Sequence, residues 1–168
     1  MARLRPERNA LRQRLRYEPD TGMFVWVRTG RLAGCRRGDG YVVINVDKTL
    51  HYAHRLAFIL NTGTAPSVVD HVNGDPSDNR WANLRSATQS QNIANSKTRS
   101  EPSKLSKYKG VTFWPARNKW IAKIKVGGVS KTIGYFDDER SAALAYDKRA
   151  RSTFGEFARL NEEANGNL

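Results

Sequence analysis

The chain has 168 residues, 39% apolar and 27% charged, with 29 Lys and Arg against 16 Asp and Glu for a net charge of +13. That length allows one domain or two small ones, the apolar share excludes a disordered chain, and the charge suits a polyanionic partner such as nucleic acid. The single cysteine, Cys35, excludes an internal disulfide and a paired-cysteine zinc site.

No apolar run reaches the length of a bilayer span, and no apolar stretch follows the Arg-rich start. A soluble, cytoplasmic protein without a membrane partner is expected. Positive charge is spread along the chain. Residues 1–96 hold 14 Lys and Arg against 8 Asp and Glu (net +6), and residues 97–168 hold 15 against 8 (net +7). Both halves are therefore candidates for nucleic-acid contact.

Residues 1–16 contain six arginines around Leu4, Leu11 and Leu15. The last two leucines have the spacing of a short basic helix, either a solvated face or a phosphate-contacting arm. Residues 17–22 read as a turn and 23–27 as a strand. Gly38-Asp39-Gly40 turns the chain into a second strand at 41–46, for a small antiparallel sheet. Ala53, Leu56, Ala57 and Leu60 then form one apolar helical stripe, stopped by Gly63 with Pro66 beyond it. Val68-Val69 ends a short strand, and Asn73-Gly74-Asp75-Pro76 turns the chain into another. Thr88 with Gln91 three residues later is a capping-box pattern, so a helix begins near Gln89 and closes a ββα unit.

Residues 97–107 are polar and contain Pro, as a linker would. Beyond them Trp120, Ala122, Ile124 and Val126 alternate with Ile121, Lys123 and Lys125, a half-buried strand with a basic outer face. Gly127-Gly128 is a hairpin turn, 131–136 the return strand, and Asp137 or Asp138 caps a helix carrying Ala142, Ala145, Tyr146 and Arg149. The fold class expected is α+β in two parts. Residues 1–96 would hold the first sheet and the ββα unit (core 53–96), and 108–163 a three-stranded antiparallel sheet on one helix.

Phosphodiester hydrolysis needs a base for the attacking water and a positive centre for the charge that develops on phosphoryl and leaving oxygens. His71 suits the first task. Asp70 and Asn92 offer the oxygen ligands that Mg²⁺ takes sparingly from protein.

The run from His54-Arg55-Leu56-Ala57 through Asp70-His71-Val72-Asn73-Gly74 and Asp78-Asn79-Arg80 to Asn83-Leu84-Arg85 resembles the HNH (ββα-metal) nucleases of the phage and intron homing type. The resemblance implies that Asp70 binds metal, His71 is the general base, and Asn83 holds the loop that carries the histidine. It implies that Asn92, nine residues beyond Asn83, is the second ligand. Asn92 stands where many members have His, which points to Mg²⁺, with Mn²⁺ as a substitute, rather than Zn²⁺. Arg55, Arg80 and Arg85 are either phosphate contacts or structural charges. His54 either packs in the core or reaches a phosphate.

The segment Tyr108-Lys109-Gly110-Val111, then Trp120 to Ile124, Ile133 to Phe136 and Ala142 to Asp147, resembles the plant Apetala-two/ethylene-response-factor domain. That family lays its sheet in the DNA major groove. Its base-contacting positions fall here on Lys109, Thr112, Trp114, Lys123, Lys125, Ser130 and Thr132. Several are Arg or Trp in the plant domains, so their bidentate guanine contacts do not carry over.

The resemblances together imply a monomeric, metal-dependent endonuclease that nicks double-stranded DNA, leaving 5′-phosphate and 3′-hydroxyl ends, in a phage-type mobile element. The rivals are a non-catalytic DNA-binding regulator with a decayed site and, more remotely, an RNA-binding protein.

Overall fold

The computed structural model describes residues 7–96 and 106–161. The first residues of the arginine arm, most of the expected linker and the final residues of the 108–163 segment lie outside the described residues. The fold is α+β with antiparallel sheets throughout. The chain divides into two units, residues 1–88 and 89–168.

The first unit opens with helix α1 (Arg8–Arg14) and a hairpin of β1 (Leu15–Glu18) and β2 (Met23–Trp26). The helix stops at Arg14, so Leu11 and Leu15 reach the core from different elements. Arg8 is neither simply solvated nor extended as an arm. Its Nε and Nη2 donate to the carbonyls of Leu60 and Asn61, both at 2.9 Å, in a place that favours a cation at a helix end. The turn expected over 17–22 is shorter. Tyr17 and Glu18 extend β1, paired with Phe24 and Met23. Tyr17 gains tertiary partners there that local turn propensity cannot match: its ring packs on Phe24 at 4.8 Å, and its hydroxyl donates to the Asn79 carbonyl at 2.7 Å.

A three-stranded sheet follows, made of β3 (Cys35–Arg36), β4 (Val42–Val46) and β5 (Thr49–Tyr52) in the order β3-β4-β5. Strands β3 and β5 were not legible in the alternation. The β4–β5 turn is Asp47-Lys48, both with positive φ (49° and 62°), as a tight hairpin requires.

Strand β5 runs directly into helix α2 (Ala53–Thr62), whose Leu56 and Ala57 are fully buried. Each large apolar side chain buried in this way contributes about 1.5–3 kcal/mol. Gly63 ends the helix in the left-handed conformation at φ 91°. Strand β6 (Val68–His71) then pairs with β7 (Leu84–Ala87), so that Asp70 faces Arg85 and His71 faces Leu84.

The second unit contains helix α3 (Gln89–Asn95), the sheet β10-β9-β8 and helix α4 (Glu139–Phe154). The strands are β8 (Val111–Trp114), β9 (Lys119–Val126) and β10 (Val129–Phe136). Asp138 is the cap of α4, accepting from the Ser141 N–H at 2.8 Å. Ala142, Ala143, Tyr146 and Ala150 bury one face of α4 with Ala122 and Ile124 of the sheet. Small residues let helix and sheet approach closely. At Gly110 (φ +73°) a Cβ would lie 2.1 Å from the Tyr146 ring and 2.7 Å from the Lys123 carbonyl oxygen.

Candidate active site and DNA-binding face

His71 ends β6, and the residues after it form a loop held by side chains. The Asn83 Oδ1 accepts from the Asn73 N–H at 2.9 Å. Its Nδ2 donates to the Asn73 Oδ1 at 3.1 Å and to the Asp78 carbonyl at 2.8 Å. The Val72 N–H donates to the Asn83 carbonyl at 2.9 Å. Asn73 in turn donates through Nδ2 to the Asp78 carboxylate at 2.8 Å. Asp78 also receives Arg80 in a two-pronged pair, Nε to Oδ1 at 2.9 Å and Nη2 to Oδ2 at 2.7 Å. The Arg80 bond is the largest of the causes that hold the Asp78 carboxyl down at about 2.

Asp70 and His71 take different partners. The buried Asp70 Oδ2 accepts from Arg85 Nε at 2.8 Å across the β6–β7 pair. The buried His71 ring lies edge-on to His54 at 5.1 Å and to Tyr41 at 6.0 Å. Tyr52 stacks on His54 at 5.4 Å, and the Arg37 Nη1 donates to the Tyr52 hydroxyl at 3.1 Å.

Burial pushes the His54 pKa down to about 3, with the charges of His71 and Arg55 acting in the same direction. Burial also lowers the His71 pKa, opposed by Asn79 and by Asp70, Asp75 and Asp78. Both imidazoles are thus neutral at physiological pH. A base needs that state at His71.

The three arginines expected near phosphates all have internal partners. Arg55 donates through Nη1 to the carbonyls of Pro66 (2.9 Å) and Ser67 (3.2 Å). Arg85 holds Asp70, and Arg80 holds Asp78 with its own side chain 56% exposed. Asn92 sits half-buried on α3 in the second unit. Among the described residues no three His, Cys, Asp or Glu are grouped to hold a metal.

On the second unit, register brings six expected contacts onto one face. Lys125 pairs with Ser130 and Lys123 with Thr132, while Thr112 and Trp114 pair with Ile121 and Lys119. Paired residues share a face, and so do alternate residues of one strand. The face is capped by aromatics, with Trp114 5.7 Å from the ring of Tyr135 and 4.8 Å from the Arg117 guanidinium. Lys109 is apart from this face, its Nζ donating to carbonyls at the end of α3.

Sequence reasoning missed Tyr41 and Tyr52, which lie far from the motif in the chain and carry no local signal. It also missed Asn73 and Asp78 as partners of Asn83, although the Asx-rich loop between Asn73 and Asn79 advertises such bonding.

Residues 51–94 match the HNH endonuclease family. The chain is similar to an uncharacterized HNH endonuclease of Acanthamoeba polyphaga mimivirus, 31% identical over 65% of this chain and 56% of that protein. It is also similar to two proteins of Arabidopsis thaliana. Dehydration-responsive element-binding protein 2C is 44% identical over 26% of this chain and 13% of its own length. Dehydration-responsive element-binding protein 2D is 45% identical over 32% and 27%. Both resemblances read from the sequence thus stand, the HNH region at 51–94 and the plant DNA-binding-protein likeness. The chain spans about half of its viral relative and between 13% and 27% of the plant ones.

Proposed function

We propose that this chain is a metal-dependent endonuclease that hydrolyses phosphodiester bonds of double-stranded DNA. The observation that carries the reading is the Asp70-His71 pair, buried at the end of β6 beside a loop gripped by Asn83, inside the region that matches the HNH endonucleases. His71, neutral because it is buried, takes the proton from the attacking water. His54 and Tyr41 limit where its ring can turn. Asn83 fixes the backbone of Asn73 and Asp78 and so keeps the histidine in place while the charge moves.

The donor types that the resemblance implies suit a hard divalent cation. Asp70 and Asn92 would supply oxygen, and one carboxylate with one amide suits Mg²⁺ or Mn²⁺, which keep several waters. Held by these two residues, the ion would stabilise charge on the phosphoryl and leaving oxygens. Arg85 orients the Asp70 carboxylate. Arg80, the more exposed arginine, is the phosphate contact.

Thr112, Trp114, Lys123, Lys125, Ser130 and Thr132 dock the second unit on the duplex. Lysines supply charge there without the two-pronged guanine reading that arginine gives. One site per chain cuts one strand, so the reading is a monomer that nicks, with 5′-phosphate and 3′-hydroxyl products. The mobile-element role belongs to the same proposal.

The Asp70–Arg85 pair favours a second reading, a DNA-binding regulator in which arginine has taken the place of the metal charge. Nicking of supercoiled plasmid with Mg²⁺ or Mn²⁺, with EDTA and His71→Ala as blanks, separates the two. Relaxed circles that need both metal and His71 support the nuclease. Wild type as inert as His71→Ala, with duplex binding intact, supports the regulator.

A further inference from the structure

Lys109 stands where the C-terminal resemblance implies a base contact, yet its amine is committed to backbone carbonyls of the protein itself. Its Nζ donates to the carbonyls of Ile93 (3.2 Å), Ala94 and Ser96 (2.7 Å). Three acceptors exhaust the three donors of an ammonium. These carbonyls lie at the end of α3, where a helix leaves its last carbonyls without intrahelical partners and where its dipole favours a cation. The Arg159 N–H also donates to the Ala94 carbonyl, at 3.3 Å.

The lysine is equally fixed at its base. Its N–H donates to Asn161 Oδ1 at 2.7 Å, and its carbonyl accepts from Asn161 Nδ2 at 3.2 Å. Asn161 is bound in turn to the Asp147 carboxylate of α4, through its N–H and its Nδ2, at 2.9 Å each. Asp147 and Asn161 are only 3% and 2% exposed. A continuous chain of bonds therefore runs from α4 through Asn161 and Lys109 to the end of α3. Burial of the amine agrees with this, lowering its pKa to about 8, with Arg159 adding repulsion.

We propose that Lys109 is a positioning residue rather than a DNA contact, stapling helix α3, and with it Asn92, to the sheet and helix α4 of the same unit. The inference rests on the reading of Asn92 as a metal ligand. It makes α3 part of the docking body: when β8–β10 settle on a duplex, the helix bearing Asn92 is carried with them.

Two measurements on the full chain test it. In the first, wild-type lysines are acylated with an N-hydroxysuccinimide ester, with and without duplex DNA, and read by mass spectrometry. Lys109 should react at least about tenfold more slowly than Lys123 and Lys125, because reaction waits on local opening, and DNA should not change its rate. Lys123 and Lys125 should be fast in the free protein and slowed by the duplex. A Lys109 that reacts like Lys123 when free and is protected by DNA overturns the proposal.

The second compares Lys109→Met with wild type. Duplex affinity in EDTA and its salt dependence should hold, while nicking at saturating protein drops by about tenfold or more from misplacement of the helix. A variant that loses affinity and about one unit of salt slope, yet nicks normally at saturation, shows a phosphate contact instead. If wild-type nicking equals that of His71→Ala, the nuclease reading fails by itself, and the acylation pattern still decides the staple.

Discussion

Replacing Asn83 by Ala removes three hydrogen bonds at once. The Asn73 N–H loses its acceptor at 2.9 Å, and the Asp78 carbonyl and the Asn73 Oδ1 lose donors at 2.8 and 3.1 Å. Each such bond contributes about 0.5–1.5 kcal/mol net, and Asn83 is only 7% exposed, so water replaces the lost partners poorly. The expected cost to the first unit is about 2–4 kcal/mol. With a urea dependence of about 2 kcal/mol per molar, its unfolding midpoint should fall by roughly 1–2 M. Hydrogen exchange over residues 68–87, followed by mass spectrometry against urea, reports this unit separately from the other. Asn83→Asp is the control. It keeps an acceptor for the Asn73 N–H but turns both donors into acceptors beside Asp78, so it should recover little. A midpoint for Asn83→Ala within about 0.2 M of wild type would refute the claim that this side chain holds the loop.

Arg85→Ala leaves the Asp70 carboxylate, 4% exposed, without its 2.8 Å ion pair and should cost about 3–5 kcal/mol, largely restored in the Asp70→Asn, Arg85→Ala double variant; non-additivity in a double-mutant cycle checks this. Stability of the first unit should fall in acid through His54. Its folded pKa is about 3 against 6.5, so the unfolded state binds the extra proton. The contribution is complete above pH 6.5 and declines by about 1.4 kcal/mol per unit as the pH falls towards 3, a slope that urea titrations should find flatter in His54→Phe. Gly110→Ala forces a side chain into φ +73° and against the Tyr146 ring and the Lys123 carbonyl, and should destabilise the second unit by about 3 kcal/mol or more in thermal unfolding. Lys123→Ala and Lys125→Ala should each lower the salt slope of duplex binding by about 0.9 without touching stability, since both side chains are exposed on the sheet face.

What was legible in the sequence follows from where the restraint comes from. The apolar stripe of α2, the stop at Gly63 and the hairpin at Gly127-Gly128 are local signals, and the structure has all three. The positions of Lys123, Lys125, Ser130 and Thr132 share a face because strand alternation is a local rule. The bulge between Thr132 and Gly134 interrupts it only beyond them. Strand β5 was hidden because its exposed Leu50 breaks the alternation, and pairing with β4 fixes it instead. The neighbours of Tyr17, namely Pro19, Asp20 and Gly22, favour a turn. Its partners Phe24 and Asn79 decide otherwise. The fate of Lys109 was hidden for the same reason: its acceptors on α3 and its anchor Asn161 are distant in sequence, and a lysine next to Gly110 reads the same whether it faces phosphate or carbonyl.

The stretch that matches the HNH family is held in part by residues outside it. The loop beyond His71 is gripped from inside by Asn83 and from outside by the β1–β2 hairpin. Tyr17 donates to the Asn79 carbonyl at 2.7 Å, and the Trp81 N–H donates to the Pro19 carbonyl at 2.8 Å. At Gly22 the hairpin backbone comes so close that a Cβ would lie 2.5 Å from the Arg80 nitrogen. None of these hairpin residues belongs to the 51–94 stretch that matches the HNH family. The motif therefore supplies the proposed reacting groups and the inner bonds of the loop, while residues outside it hold its outer side. Tyr17→Phe removes one of those outer bonds without opening a cavity. It should cost about 1 kcal/mol and raise hydrogen exchange in residues 78–83 more than in the β4–β5 hairpin. Uniform loosening of both segments would mean that the hairpin stabilises the unit as a whole and has no particular hold on the loop.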